Sequence, residues 1–556
     1  MRQDALTFDE LAHIPAGYSY LAKQDYRVNP EHPPLIKDIP AVPLLFLDLN
    51  FPDDHPTWVQ QEAPQWWVQF DLGNQFLYHS GNNPRQIIFW SRLFMIFLLI
   101  LTGWFIFYWA KKIGGNMVAL SALALFAFSP TFIAHGRLVN TDLGAVFGSL
   151  IAIFFWLKFL KNPGWKNIIL AGIGFGLAML LKFSLILLIP LFAIITLIYA
   201  GWFAEKENKA VKRILTYSVK ALLAAFVGVI LIIWPFYQLH ILNYPPDRQL
   251  RDTIADIANH PVPLMKDLTI WMTQFQPTQG LAQYLRGLLM ASQRTAWGNT
   301  TVFLGQISAD SWLHYFPLLY LVKTPLALHL LTAFALIGMI LAGKKLKKNF
   351  LVITFFIWIF IYMTATLIGN LNIGIRHLLP VFPFIYILIA LGLKNLFISV
   401  DTAKTKKGLA CLVVILFVWY ISSSIIAFPH YISYYNELVG GSKNGYKISV
   451  DSNYDWGQDF YRLLHFVEQY KVDKIHLDYF GGEDPGYWLQ EKYVRLNPKE
   501  IEKPPKGWVA VSVNQLMGGT AEPVEGFDQE TGYYAWLEDY TPFARAGYSI
   551  FIYYID

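Results

Sequence analysis

A single cysteine in 556 residues, Cys411, leaves the chain without an internal disulfide framework or a thiolate metal cluster. Charge is scarce too. Charged residues make up 15% of the chain against 55% hydrophobic residues, with a mean hydropathy of +0.36, a balance that one water-soluble core does not accommodate. The net charge of +5 is carried largely by lysines in short loops, which suit anionic lipid and leave a nucleic-acid role without support. No internal repeat and no low-complexity tract is visible, and Met1 to Ile87 does not open as a signal peptide. Cys411 itself falls in an apolar helix and reads as packing.

What the sequence has in abundance is apolar runs of about 20 residues, long enough to cross about 30 Å of hydrocarbon. They are Ile88 to Trp109, Met117 to Ala134, Thr141 to Leu157, Ile168 to Leu181, Leu185 to Phe203, Val219 to Tyr237, Pro325 to Leu341, Phe350 to Leu367, His377 to Phe397 and Leu409 to Phe428. The fourth and fifth are parted only by Lys182, Phe183 and Ser184, and are read as two helices because merging them breaks the alternation of loop charge. Lysine-rich stretches fall in every second loop: Lys111-Lys112, Lys158 to Lys166, Lys206 to Arg213, Lys344 to Lys348 and Lys394 to Lys407. The positive-inside rule makes these cytoplasmic. Residues 1–87, the 239–324 loop, the short loop before Arg376 and the 429–556 tail are then extracytoplasmic, around membrane segments 88–238 and 325–428. An even number of spans with both ends outside also leads us to expect a further transmembrane helix preceding Met1.

The fold expected is therefore a polytopic α-helical membrane protein of about ten visible transmembrane helices with a small C-terminal α/β domain. Pro34 to Phe51 is apolar but broken by Lys37, Asp38 and prolines, which suits an interfacial segment. In the 239–324 loop, Leu281 to Ser292 has helical period and Trp312 to Pro317 is an aromatic patch of headgroup type. The tail pattern predicts a helix at Asp459 to Tyr470 and strands at Lys474 to Tyr479, Trp508 to Val513 and Ser549 to Tyr554.

The extracytoplasmic loops carry acids that a purely structural loop does not need: Asp9-Glu10, then His13, and Glu31-His32 held by Pro33 and Pro34. Asp142 opens a transmembrane helix five residues after Arg137. Helix capping explains it taken alone. Yet Arg137, Asp142, Lys182, Lys323, Arg376 and His377 all map to helix ends on one face, and ionisable groups at a membrane boundary point to function. Snorkelling to headgroups accounts for Lys182 or Lys323 singly. The planar fork of Arg376, between an Asn/Gly-rich loop and an apolar helix, suits a lipid-linked phosphate.

These residues resemble the polyprenol-phosphate-sugar-dependent glycosyltransferases of the GT-C superfamily, in particular the protein O-mannosyltransferase-like branch. The likeness spans Asp9-Glu10, His32-Pro33-Pro34-Leu35-Ile36-Lys37, Arg137 with Asp142, Tyr315-Phe316-Pro317, Lys323-Thr324-Pro325 and Arg376-His377-Leu378-Leu379-Pro380. In the tail, Tyr435 to Gly441 and Asp451 to Asp459 resemble a signature of bacterial members. Trp297-Gly298-Asn299-Thr300-Thr301 departs from relatives that carry a histidine and glycine there.

The resemblance implies an inverting transfer of a sugar from polyprenyl phosphate to an acceptor hydroxyl of a protein, lipid or glycan, in the cell membrane. Asp9 would be general base; Glu10 and Asp142 would orient the acceptor or stabilise charge on the sugar. Arg137, Lys37 and Arg376, with His377, Lys182 and Lys323, would meet the donor phosphate. His13, Glu31 and His32 would support them. No cofactor is required, although Glu10 and His13 at i,i+3 with Glu31-His32 form a rival divalent-metal reading. Asp451 to Asp459 lacks EF-hand spacing and reads as turns and caps, and its domain would recognise acceptor or cover the cleft. Two other readings are a transporter or flippase, which lacks support from repeated halves, and a membrane anchor, which leaves the loop acids unexplained.

Overall fold

The ten apolar runs are all helical, because backbone groups in hydrocarbon must be bonded within their own segment. The computed structural model describes residues 3–59, 66–204, 209–343, 349–500 and 504–556. Its first loop contains α1 (Phe8–Lys23) and α2 (Leu35–Ala41). The apolar helices follow: α3 (Pro84–Gly114), α4 (Asn116–Ala127), α5 (Pro130–His135), α6 (Asp142–Lys161), α7 (Trp165–Met179), α8 (Phe183–Phe203) and α9 (Ala210–His240). After the long loop, whose main helix is α10 (Gln276–Trp297), come α11 (Tyr315–Lys323), α12 (Leu326–Ala342), α13 (Phe350–Ile368), α14 (Ile375–Ser399) and α15 (Ala403–Ile426).

Among the described residues, seven helices are long and apolar enough to cross a membrane: α3, α6, α8, α9, α13, α14 and α15. The chain is a multi-pass membrane protein. The remaining runs form two shorter apolar helices, α4 and α7, and the pair α11–α12, bent by 104° at Thr324-Pro325. Proline lacks the N–H that would continue the first helix and forces its predecessor out of helical geometry. The Met117 to Ala134 run divides likewise, with Ser129 Oγ accepting the Phe132 N–H, 3.4 Å, ahead of Pro130. Lys182 is extended (φ −161°, ψ 137°), so the break between the fourth and fifth runs is real. Lys344 to Lys348 and residues 206–208 of the basic loops lie outside the described residues.

Helix position in the bundle separates scaffold from periphery. Of the most apolar window, 72% is buried in α6 and 67% in α14, against 17% in α9. The two helices that open with Asp142 and with Arg376 are thus the central ones. Helix α14 meets α12 through glycines: a Cβ on Gly338 would stand 2.0 Å from the Gly392 carbonyl oxygen, and one on Gly392 2.4 Å from that of Ala335. Small residues of this kind let helices approach where lipid offers no hydrophobic driving force for association. Cys411 corrects one expectation, since it lies on the exposed face of α15 and is not packed.

At the end of the bundle carrying the first loop, the predicted interfacial segment is α2 followed by a turn, Val42–Phe46, with Leu45 and Phe46 exposed. The long loop adds a hairpin, β1 (Thr301–Phe303) and β2 (Gln306–Ser308). In the tail, the helix Phe460–Gln469 covers a five-stranded sheet formed by β3 (Ile475–Asp478), β4 (Tyr493–Arg495), β5 (Gly507–Ser512), β7 (Ala544–Ala546) and β8 (Ile550–Ile555). The order is β4-β3-β5-β8-β7, parallel across the first three and antiparallel after them. Strands β4 and β7, three residues each, are too short to show alternation and were not among the expected strands. A further short strand, β6 (Glu522–Pro523), pairs with β2 and ties tail to loop.

Candidate active site

Four separate elements bring charge to one place. Asp9 lies in the first turn of α1, Asp142 opens α6, Lys182 occupies the extended break between α7 and α8, and Arg376 and His377 lie in the tight turn that starts α14. An Arg376 terminal nitrogen donates to Asp9 Oδ2 at 2.8 Å and stands 3.6 Å from Asp142 Oδ2. Lys182 Nζ donates to Asp142 Oδ1 at 2.5 Å. Asp142 therefore does not spend its carboxylate on a helix cap; it turns to the two cations. The result is a chain of alternating charge, Asp9–Arg376–Asp142–Lys182, in which Arg376 Nε and Asp142 Oδ2 are buried without a hydrogen-bond partner. A buried donor left unpaired is costly, and it marks where another acceptor can be received.

All of these groups but Asp142 border a cavity of about 370 Å³. Asp9, Lys182, Arg376 and His377 line it, as do His13, Glu31 and His32, while Ile186, Leu187, Leu288 and Tyr362 supply an apolar wall. Burial pulls the Asp9 carboxyl up, but the Arg376 charge, with His13 and the Arg376 hydrogen bond, pulls harder, and the group ends below the ordinary aspartate range. Asp9 is thus an anion at neutral pH. Burial lowers His13 and lowers His32 further, so both rings are neutral. His13 Nδ1 donates to the Val139 carbonyl at 2.9 Å, which turns Nε2 into its free acceptor, and His32 meets the His13 ring edge-on at 5.2 Å.

Residues 77–234 match the model of the dolichyl-phosphate-mannose-protein mannosyltransferase family. The matched stretch contains Arg137, Asp142 and Lys182 and agrees with the family read from the sequence motifs. The chain is also similar to the ArnT crystal structures from Cupriavidus metallidurans. Over 99% of this chain and 94% of that one, the apo form gives 10% identity and a TM-score of 0.47. The undecaprenyl phosphate-bound form gives 10% identity and 0.45 over the same shares. An Archaeoglobus fulgidus oligosaccharyltransferase in complex with Zn and sulfate gives 12% identity and a TM-score of 0.44, over 93% of this chain and 66% of that one. Comparison with curated proteins finds no match.

Four residues expected at the site are placed elsewhere. Glu10, next to Asp9, faces the opposite way: Arg92 donates to both its oxygens, at 2.9 and 2.5 Å, and the Val139 and Thr7 N–H groups donate to it at 3.0 Å each. Burial raises this carboxyl, but Arg92 outweighs burial and holds it below the ordinary glutamate range. Removing one partner of such a buried pair costs about 3–5 kcal/mol. Glu10→Ala is therefore expected to lower the unfolding temperature sharply in detergent, with Asp9→Asn as the mild comparison. Equal unfolding temperatures would contradict the structural role.

Arg137 turns to Asp4 at 2.5 Å. Lys37 Nζ donates to Tyr20 Oη, to the Asn29 carbonyl and side chain and to the His32 carbonyl, all within 2.7 to 2.9 Å, and burial pushes the amine far below the usual lysine range. It shapes the Asn29–His32 turn from behind. Lys323 Nζ donates to the Ile432 and Asn453 carbonyls at 2.8 and 2.6 Å. Lys37 and Lys323 are thus consumed by protein oxygens, whereas Arg137 pairs with Asp4 and keeps a buried Nε without a hydrogen-bond partner. The metal reading loses Glu10 to Arg92, and Glu31 accepts from Trp66 Nε1 and pairs with Arg294 at 3.1 and 3.2 Å. Among the described residues, no group of three or more His, Cys, Asp or Glu is arranged to hold an ion.

Sequence reasoning missed Asn29, Arg294, Tyr362 and Trp456. Arg294, a lone base in the last turn of α10, carries no local signal. Trp456 lies inside the Asp451 to Asp459 stretch that reads as turns, yet its ring holds the Arg376 guanidinium at 4.2 Å. In the same stretch, burial pushes Asp455 up to about 7, aided by Asp459 and opposed by N–H donors of Asn514 and Gly457. The folded protein holds this proton more tightly than the unfolded chain does. Stability is therefore expected to fall as pH rises from the ordinary aspartate range to about 7, and Asp455→Asn to remove that slope. Unfolding temperatures in a pH series check this; an unchanged slope in the variant would contradict it.

Proposed function

We propose that the chain is an inverting glycosyltransferase that moves a sugar from a polyprenyl-phosphate donor to an acceptor hydroxyl at the extracytoplasmic face of the cell membrane. The observation that carries this reading is the convergence of an ionised carboxylate, Asp9, with Arg376 and Lys182 in one cavity that has an apolar wall, the two cations being joined through the buried Asp142. A lipid phosphate needs such a pairing of cations and apolar surface. The family matched over residues 77–234 is named for a donor of this class, a polyprenyl phosphate bearing mannose.

In the reaction, Asp9 takes the proton of the acceptor hydroxyl as its oxygen bonds to the anomeric carbon. The bond from that carbon to the phosphate oxygen breaks on the opposite face, so configuration inverts. Negative charge then grows on the departing phosphate, where Arg376 and Lys182, already in position, stabilise it. A phosphate offers Arg376 a bidentate partner, and its engagement frees the Asp9 carboxylate for the hydroxyl. Asp142 keeps the two cations aligned, and His377 borders the same wall.

Purified protein given radiolabelled polyprenyl-phosphate sugars, hexose and pentose in turn, with a membrane extract as acceptor, tests the reading. The expected result is label on a hydroxyl-linked product of inverted anomeric configuration. Movement of intact lipid-linked sugar across a liposome without bond cleavage would instead favour a flippase.

A further inference from the structure

The tail domain makes contact with both partners of the Asp9–Arg376 pair. The Phe8 N–H, one residue before Asp9, donates to the Trp456 carbonyl at 3.1 Å. The Ile375 N–H, one residue before Arg376, donates to Asn453 Oδ1 at 2.9 Å. Ser452 Oγ donates to the Ile373 carbonyl at 2.5 Å, and Gly374 between them has φ +118°, where an added Cβ would stand 2.7 Å from that hydroxyl. One short tail segment thus fixes the backbone on either side of the ion pair.

The side chain of Trp456 completes the arrangement. It is buried with Ala134, Leu138 and Ile432, and its ring face lies 4.2 Å from the Arg376 guanidinium carbon. An aromatic face attracts a guanidinium without taking any of its N–H groups. The fork of Arg376 stays open at its edges for Asp9, Asp142 and a phosphate, which a carboxylate in the place of Trp456 would prevent. This tail segment is itself anchored: the Trp456 backbone N–H donates to Gln458 Oε1 at 2.8 Å, and the Ala5 N–H to the Gln458 carbonyl at 3.0 Å.

Building on the glycosyltransferase reading, we propose that Trp456 is a positioning residue for phosphate recognition: residues 452–456 of the tail hold Arg376 and Asp9 in register, making the tail domain part of the active site. Replacing the ring by an aliphatic side chain lets the guanidinium swing, weakening both its hold on phosphate and its hold on the Asp9 carboxyl, which then rises toward the ordinary aspartate value.

The test measures affinity of the full chain in detergent for a polyprenyl phosphate, together with the acid limb of transfer, for Trp456→Leu, Trp456→Met, Trp456→Phe and Arg376→Met. Leu and Met are expected to weaken binding by about tenfold or more and to move the acid limb to higher pH, while Phe, which keeps a face, stays within about threefold of wild type. Two aliphatic variants cover the case in which one does not fold. Equal losses in Phe and Leu at equal unfolding temperatures, or wild-type binding in Leu or Met, would overturn the positioning role. If Arg376→Met loses binding while Leu and Met do not, only this inference falls. If Arg376→Met binds like wild type, the donor-phosphate reading falls with it.

Discussion

Asp9→Asn is expected to lower sugar transfer by roughly a hundredfold or more, the scale on which a positioned general base contributes. The substitution conserves shape, and its side-chain oxygen still accepts from Arg376, so the fold and the cavity persist. What it loses is the ability to take a proton. The geometry makes the assignment specific to Asp9, because Glu10 is held by Arg92 on the other side of α1. Initial rates across acid and neutral pH provide the second half of the prediction. Since Arg376 holds Asp9 below the ordinary aspartate range, the wild-type rate stays flat through neutral pH and falls only as the medium becomes acid enough to protonate that carboxyl. An Asn variant turning over at the wild-type rate would remove Asp9 from the chemistry.

Arg376→Met carries the other large effect. Among the described residues, Arg376 is the one cation in contact with both acids of the site, at 2.8 Å from Asp9 and 3.6 Å from Asp142, and it keeps a buried Nε without a hydrogen-bond partner. Truncating one member of a buried, hydrogen-bonded charge pair costs roughly 2–5 kcal/mol, so affinity for a polyprenyl phosphate is expected to drop on the order of thirtyfold or more. Arg376→Lys rescues little, because an ammonium cannot reproduce a planar fork shared among two carboxylates and a phosphate. Lys182→Met, which leaves Asp142 one cation, is expected to lose less. Binding that responds to Lys182 but not to Arg376 would reverse the order of the two roles.

Much of this architecture is legible from sequence, for physical reasons that also mark its limits. Runs of apolar residues the length of a bilayer have few structural options, and a charged Lys182 between two such runs is more easily placed at a break than inside a span. Charge at helix ends on one face is enough to group Asp142, Lys182 and Arg376. Neighbouring residues on a helix point roughly 100° apart, however, and no pattern says which of Asp9 and Glu10 faces inward. The answer lies in Arg92, buried in α3, which takes Glu10 for itself. Lys37 and Lys323 read as free cations, but the Asn29 and His32 carbonyls of its own loop surround Lys37 and the Ile432 and Asn453 carbonyls of the distant tail surround Lys323. Trp456 falls in a stretch whose likeness to bacterial members is visible, but its role is not, since that role lies in a guanidinium eighty residues upstream.

Sugar transfer by this site requires a phosphate to meet Arg376 inside the cavity that Asp9 lines. A structure of the wild-type protein with a polyprenyl phosphate bound measures this most directly. Phosphate oxygens are expected within hydrogen-bond reach of Arg376 and Lys182, the prenyl chain leaving past the apolar wall near Leu187 and Tyr362, and the Asp9 carboxylate beside the phosphate. A phosphate held outside this cavity, with the Asp9–Arg376 pair undisturbed, would contradict this requirement.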